Sequence, residues 1–161
     1  MLFHRHYSAI HAFAYRLSLS RADADDIAQA TFVQAARALG SFRGDASFKN
    51  WLYTIAANRS RDFHRQRVRK ARLSDELAVL AAVEDGPGEP DEAHEEVRLA
   101  LAKLSADQRA AVALVYYEGL NHAEAARTLE CAESTVSWRI FRAKQKLKHL
   151  LRAGCAPARH D

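Results

Sequence analysis

The apolar positions of this 161-residue chain recur every three or four residues along most of its length, which is the period of an amphipathic α-helix. No stretch alternates apolar and polar residues as a half-buried strand would. We therefore predict an all-α fold. The predicted helices span residues 2–18, 22–39, 48–68, 96–103, 106–118, 122–129 and 133–151.

One segment, EDGPGEPDE at residues 84–92, interrupts the helical pattern. It holds two of the six glycines and two of the three prolines, a composition typical of a flexible, solvated linker. We predict two small helical domains, 1–70 and 94–152, joined by an acidic linker over 71–93 and followed by a disordered tail over 153–161. Each domain is close to the lower size limit for independent stability.

The net charge of +4 is mild, but the charges are unevenly distributed. Residues 1–72 carry thirteen Lys or Arg against five acids, and residues 98–161 carry eleven against six. Between them, residues 73–97 carry nine acids and no Lys or Arg. Two basic modules around an acidic stretch favour a polyanionic partner that both modules contact.

Several classes of protein lack support in the sequence. No apolar run reaches the roughly 18 residues of a membrane span, and the N-terminus MLFHRHYS is too polar for a signal peptide. Two cysteines, Cys131 and Cys155, are too few for a disulfide framework, so we expect a cytoplasmic location, with Cys131 as a small buried residue. His4, His6 and His11 lack the spacing of a zinc site, and no catalytic motif occurs. We expect no enzyme activity, metal or cofactor.

The C-terminal module carries a helix-turn-helix pattern. Ser105 with Gln108 has the spacing of a capping box that starts a helix. Asn121 with Glu124 has the same spacing, and a short turn at 130–132 then leads into a long helix. Such turns often contain glycine, whereas Glu130 stands here.

The last helix has two distinct faces. Its apolar stripe consists of Val136, Ile140, Ala143, Leu147 and Leu150. Its opposite face consists of Ser134, Ser137, Trp138, Phe141, Arg142 and Gln145. Arginine on guanine and apolar groups on thymine methyls are how major-groove readers recognise bases. The alternative is an ordinary helical bundle with a cationic, solvated face.

The block from Phe42 to Arg72 combines aromatic rings with charge, since its last fourteen residues hold seven Lys or Arg and one acid. Rings stack on unpaired bases while cations hold phosphates, so this block favours partly single-stranded nucleic acid. On its helical wheel the inward set is Leu52, Ile55, Ala56 and Phe63. The outer stripe is Thr54, Asn58, Arg61 and Arg65, with Trp51 at its edge. Alternatively, Trp51 and Tyr53 are partial core and the arginines a solvated face.

The helix predicted at 22–39 offers a different surface. We expect Ala28, Phe32, Ala35 and Leu39 to be buried. The outward stripe is Asp26, Gln29, Ala30, Val33 and Arg37. This stripe is acidic at its start and partly apolar, so it suits DNA poorly. A protein partner is one explanation, but the helix macrodipole already accounts for acids in a first turn and is the simpler one.

Three segments together resemble the extracytoplasmic-function (ECF) sigma factors, the minimal sigma subunits of bacterial RNA polymerase. DADDIAQATF is similar to the region-two helix that binds the polymerase clamp. FRGDASFKNWLYTIAAN is similar to the segment that melts and reads the minus-10 element. LSADQRAAVALVYYEGLNHAEAARTLECAESTVSWRIFRAKQKL is similar to region four, with its minus-35 reading helix. The resemblance covers nearly the whole chain.

The resemblance implies roles for particular residues. The residues implied to bind core polymerase are Asp26, Gln29 and Val33. Those implied at the minus-10 element are Phe42, Arg43, Phe48, Trp51, Asn58, Arg61 and Arg65. Those implied at the minus-35 element are Ser134, Ser137, Trp138, Phe141 and Arg142, with Arg139 in a structural or phosphate-binding role. The chain departs from the family at Ala30 and Ala36, where an acid and an aromatic are usual, and at Ser137, where lysine is frequent.

The function implied is that of a promoter-specificity subunit, with core RNA polymerase, duplex and single-stranded promoter DNA, and an anti-sigma factor as partners. The linker implies that the two modules can reorient. A competing hypothesis is a free-standing DNA-binding regulator, which leaves the aromatic block unexplained. An enzyme is the weakest hypothesis.

Overall fold

The computed structural model describes residues 2–73 and 92–154, and within these two ranges it contains helices and turns but no strand, which confirms the all-α prediction. The helices are α1 Leu2–Ser18, α2 Arg21–Ala38, α3 Phe48–Leu73, α4 Glu92–Ala102, α5 Ala106–Val112, α6 His122–Thr128 and α7 Glu133–Gly154. Most of the predicted linker (71–93) and tail (153–161) lies outside the described residues.

The starts of α5 and α6 follow from the capping boxes read in the sequence. The Gln108 backbone N–H donates to the Ser105 hydroxyl at 3.2 Å, and the Gln108 side chain accepts from the Ser105 N–H at 3.1 Å. Asn121 and Glu124 make the same reciprocal pair at 2.8 and 2.9 Å. Each box satisfies backbone donors that a helix start leaves unpaired, so both starts are fixed locally.

Four helices differ from their predicted course; of these, α4 begins at Glu92 rather than at 96, and α7 ends at Gly154 rather than at 151. α3 continues five residues beyond the predicted end at residue 68, to Leu73. The helix predicted at 106–118 is α-helical only to Val112 and continues as a π-helix over Ala113–Tyr117. The wider π turn ends at Glu118, whose N–H donates to the Ala113 carbonyl at 3.0 Å, and Gly119 then adopts a φ of +72°.

In the N-terminal module α1, α2 and α3 pack on one another around fully buried apolar side chains. The largest of these are Ile10, Phe13, Ile27, Leu52 and Tyr53. The predicted burial of Leu39 is wrong, because its side chain is 48% exposed. α2 ends at Ala38 and Leu39 begins a short 3₁₀ turn, which takes the side chain off the buried face of the helix.

In the C-terminal module α7 packs on α4, α5 and α6. Val136, Ile140 and Ala143 are buried, as the apolar stripe predicts. Cys131 is half-buried and lies against this core.

The two modules also pack on each other. A continuous cluster of buried apolar residues runs from Phe13 and Leu52 in the first module to Leu114 and Val136 in the second. α1 contacts α5, and α3 contacts α6. We call this packing of one module on the other the closed arrangement.

We expect Phe13→Ala to lower the free energy of unfolding by about 3–5 kcal/mol, the usual cost of truncating a buried phenylalanine. Phe13 is 0% exposed and its ring centroid lies 5.0 Å from that of Tyr53. Urea denaturation followed by circular dichroism measures the change. Phe141→Ala is the matched control, because that ring is 51% exposed and its loss should cost under about 1 kcal/mol. Equal losses in both variants would contradict this core.

Candidate nucleic-acid interface

Three of the predicted minus-10 residues form an aromatic cluster beside the loop that precedes α3. The ring centroid of Phe42 lies 5.6 Å from that of Phe48 and 5.0 Å from that of Trp51, and those of Phe48 and Trp51 are 5.5 Å apart. All three side chains are half-buried, so each ring is both packed and accessible. For Trp51 the two interpretations, a ring accessible to a base and a partial core residue, are therefore compatible. Gly44 turns the loop with a φ of +76°, which favours glycine.

A cavity of about 520 Å³ opens beside this cluster. The loop from Ser41 to Ser47 forms one wall, together with Asn50, Trp51 and Thr54 of α3. The opposite wall is formed by α6 of the other module, through Glu124, Arg127 and Thr128. Arg43 is exposed at the loop. The cavity is large enough for a nucleobase, but α6 limits access to it in the closed arrangement.

Asn58 and Arg61, predicted on the outer stripe of α3, face the C-terminal module. The Asn58 amide donates to the Glu130 carboxylate at 3.3 Å. The Arg61 guanidinium donates to the Asn58 amide oxygen at 3.0 Å and to the Leu129 carbonyl at 3.1 Å. It also lies 3.8 Å from the Asp107 carboxylate. The polar groups expected to meet DNA are thus engaged by protein groups.

Arg65 differs from these two residues. It is exposed and pairs with Asp62, one turn earlier on α3, at 2.6 Å. A carboxylate three positions away on an exposed helix contributes little to stability. Arg65 therefore remains accessible to a phosphate.

A buried carboxylate, Glu118, joins the two modules. Its side chain is only 8% exposed. Arg16 of α1 donates to it at 3.0 Å, the Lys49 ammonium lies 3.7 Å away, and the Tyr53 hydroxyl donates to its second oxygen. Burial, and then this hydrogen bond, raise the pKa of Tyr53 above its ordinary value, so the phenol stays protonated as a donor.

No local pattern in the sequence indicates this cluster. Glu118 meets Tyr53 from 65 positions away and Arg16 from 102 positions away. The Arg16 guanidinium also lies 4.3 Å from the Tyr117 ring centroid, so two neighbouring residues of the C-terminal module engage α1.

The predicted minus-35 face of α7 is open to solvent. Trp138 is 59% exposed and Phe141 is 51% exposed, and their rings are stacked with centroids 5.8 Å apart. The Arg142 guanidinium lies 5.6 Å from the Trp138 ring centroid. Ser134 and Ser137 are exposed on the same helix. The face therefore presents two rings, a guanidinium and two hydroxyls together.

Arg139 lies away from this face and is half-buried. It donates to the Asp107 carboxylate at 2.9 Å, which ties α7 to the start of α5. Of the two roles weighed for it, this geometry favours the structural one.

The turn of the helix-turn-helix uses Glu130 where a glycine is common. Glu130 has a φ of +54°, in the left-handed region that disfavours most side chains. Its neighbours close the turn, because the Cys131 N–H donates to the Ala126 carbonyl at 3.0 Å. The conformation directs the Glu130 carboxylate toward Asn58 of the other module.

The predicted polymerase-binding residues lie on one exposed stripe of α2. Asp26, Gln29 and Val33 are three and four positions apart and all are exposed, Val33 by 52%. An exposed valine among polar groups is consistent with a protein contact, though single exposed apolar residues are also common.

Within residues 2–73 and 92–154, no helix is both long enough and apolar enough to cross a membrane. The fold and its surfaces define a class: an all-helical protein of two modules, of which the second is a helix-turn-helix with an exposed aromatic and cationic face.

Comparison with known proteins gives the family. Residues 2–70 match the family described as Sigma-70 region 2, and residues 94–147 match Sigma-70, region 4. The chain is 39% identical over 150 residues to the ECF RNA polymerase sigma factor SigM of Mycobacterium tuberculosis, covering 93% of this chain and 75% of SigM. It is 35% identical over 141 residues to the RNA polymerase sigma-H factor of Pseudomonas aeruginosa, covering 80% and 73% of the two chains.

Two solved structures resemble the chain closely. The first is the sigma factor RpoE from Bartonella quintana, solved in complex with the anti-sigma factor NepR. It is 32% identical to this chain and superposes with a TM-score of 0.79, covering 93% of this chain and 94% of that one. The second is CnrH, solved in complex with the cytosolic domain of CnrY. It is 34% identical to this chain and superposes with a TM-score of 0.69, covering 94% of this chain and 86% of that one. The chain belongs to the ECF sigma factors of bacterial RNA polymerase.

Proposed function

We propose that this sigma factor directs core RNA polymerase to its promoters by placing α7 on the minus-35 duplex and capturing an unpaired minus-10 base at the Phe42 loop. The cluster of half-buried rings at Phe42, Phe48 and Trp51 carries the proposal, because a regulator that reads only duplex DNA has no use for accessible rings gathered beside a loop. Extruding a base costs a few kcal/mol, which stacking and pocket contacts recover.

The minus-10 contacts divide by chemistry. Phe42, Phe48 and Trp51 supply the rings around the base. Arg43 and Arg65 are exposed cations suited to phosphates. Asn58 and Arg61 supply donors, of the amide and guanidinium type that read base edges.

On the minus-35 side the reading residues are Ser134, Ser137, Trp138, Phe141 and Arg142. The exposure of the stacked pair supports this role, since two large rings on a solvated face are costly unless a partner covers them. Arg142 supplies the guanidinium that pairs with guanine in a major groove.

The closed arrangement corresponds to a form that cannot read the minus-10 element. Asn58 and Arg61 are held by Glu130, Leu129 and Asp107, and α6 covers one side of the cavity. Promoter reading therefore requires the modules to separate on polymerase. Because the structural relative RpoE is a sigma factor bound to the anti-sigma factor NepR, we extend control by an anti-sigma factor to this chain, which we expect to act in the cytoplasm.

Reconstitution tests the proposed function. The purified chain, mixed with bacterial core RNA polymerase, should form a stable complex and start transcripts from a subset of genomic fragments of its own organism. Core polymerase alone is the control. If the chain binds duplex fragments tightly without core and starts no transcripts with it, the free-standing regulator is the correct function.

If α2 binds core polymerase, a substitution on its exposed stripe should weaken that binding. Val33→Arg should weaken binding to core polymerase about tenfold or more, because it places a charge where an apolar contact is expected. Co-purification and a fluorescence titration with core measure it. Val97→Arg on α4 is the matched control, since Val97 is also exposed, by 41%. Equal behaviour of the two variants would refute the α2 stripe as the docking surface.

A further inference from the structure

A side chain absent from the predicted reading set touches the reading face of α7. The His122 imidazole Nδ1 lies 2.8 Å from the Ser137 hydroxyl oxygen, within hydrogen-bond distance. His122 opens α6, and Ser137 lies in the second turn of α7. The two helices of the helix-turn-helix are therefore linked at a residue that the proposed function places on DNA.

The position of His122 is fixed by its backbone. The residue follows Asn121, whose capping box with Glu124 holds the first turn of α6. His122 is also half-buried, which restricts its ring. The imidazole therefore offers Ser137 a partner of constrained position.

Ser137 uses its hydroxyl differently from several other helical hydroxyls of this protein. Those of Ser18, Thr31, Thr54 and Thr128 donate to the carbonyl four residues earlier on their own helix. Such a hydroxyl has its proton committed to the backbone. The Ser137 hydroxyl instead contacts the imidazole of His122 on another helix. The direction of its proton therefore depends on whether the imidazole nitrogen donates or accepts.

A serine hydroxyl has one proton and two lone pairs, so it can read a base as donor or as acceptor. If it donates to Nδ1, it presents lone pairs to the groove and suits the amino groups of adenine or cytosine. If it accepts from Nδ1–H, its own proton is free for the acceptors of guanine or thymine. In the first case only lone pairs remain for the base, and in the second the imidazole occupies one lone pair and directs the hydroxyl proton away from itself, so each case narrows what the hydroxyl offers to DNA.

We propose that His122 is a positioning residue that sets base specificity at the Ser137 contact by fixing the direction of the Ser137 hydroxyl. This inference rests on the proposed minus-35 role of α7 and adds a residue of α6 to it. The inference also bears on the departure from the family at Ser137, where lysine is frequent. A lysine at this position would need no partner to fix its role, since its ammonium group can only donate.

The test is a double-mutant cycle read out as base preference. Holoenzyme of each variant initiates on a pool of promoters randomised over the minus-35 element, and the transcribed sequences are counted. Ser137→Ala identifies the base pair that Ser137 reads. His122→Phe, which keeps a ring but removes the nitrogens, should lower discrimination at that same pair about threefold to tenfold, the worth of one ordinary hydrogen bond.

Two comparisons separate positioning from a general effect. His122→Asn keeps a polar atom at the δ position and should restore most of the discrimination, whereas His122→Gln, with its amide one bond further out, should not. In the Ser137→Ala background His122→Phe should have no further effect on that pair. Thermal unfolding of each variant establishes that the module remains folded.

The outcomes are distinct. If His122→Phe lowers initiation on all sequences equally, or acts as strongly without the Ser137 hydroxyl, His122 contacts phosphate or supports the fold, and the inference is overturned. If Ser137→Ala changes no base preference while the holoenzyme still initiates, Ser137 does not read a base. The inference about His122 is then wrong, and the proposed sigma-factor function stands. If wild-type holoenzyme does not initiate, the proposed function itself fails.

Discussion

Replacing Glu118 with alanine should open the chain and raise its affinity for single-stranded DNA about tenfold or more in the absence of polymerase. In the closed arrangement the variant leaves Arg16 and the Tyr53 hydroxyl without their carboxylate. Losing such partly buried partners costs about 1.5–3 kcal/mol. Each 1.4 kcal/mol changes the ratio of the open form to the closed form about tenfold. The apparent affinity for single-stranded DNA rises with the fraction of the open form, because only that form binds it.

Fluorescence anisotropy with a mixed-sequence single-stranded oligonucleotide measures the affinity, and small-angle X-ray scattering measures the radius of gyration. Glu96→Ala is the matched control, because it removes the same charge from an exposed position on α4. The closed arrangement would lose its role as an inhibitor if Glu118→Ala stayed as small as the wild type and bound the oligonucleotide no better than Glu96→Ala.

The second large effect is expected at Trp138. Trp138→Ala should weaken binding of the holoenzyme to promoter duplex about thirtyfold while leaving the melting temperature of the free chain nearly unchanged. Trp138 is 59% exposed, so its removal costs the fold little. Its stacking on Phe141 and the nearby Arg142 makes it an anchor of the size that aromatic hot spots supply, about 2 kcal/mol.

Electrophoretic mobility shifts of holoenzyme on a promoter fragment measure the loss. Tyr116→Ala is the control, since Tyr116 is an aromatic of the same module that is 54% exposed and lies in the π-helix rather than on α7. A comparable loss in both variants would show that exposed rings in general, rather than the α7 face, sustain binding.

Local patterns in the sequence were enough for most of the fold. The capping boxes act over three residues, and the apolar stripe of α7 repeats every three or four, so both could be recognised without tertiary information. The outward placement of Trp138 and Phe141 followed from the same periodicity. Leu39 was misjudged because the stripe continued in sequence beyond Ala38, where the helix itself ends.

What the sequence could not reveal depends on how the two modules meet. A helical wheel places Asn58 and Arg61 on the outer side of their own module, and it cannot tell that the other module covers them. Glu118 gave no local signal, because its partners come from α1 and α3. Its significance arises from burial, which is a property of the packed chain.

The inward-facing cations of the closed arrangement bear on how the protein searches for polymerase. A chain of net charge +4, with seven Lys or Arg in one fourteen-residue tract, has a general attraction for the chromosome. Turning Arg16 and Arg61 toward carboxylates of the same chain removes part of that attraction. We expect the unbound factor to diffuse more freely between genomic sites than its composition suggests, and to adhere to DNA chiefly once polymerase has separated its modules.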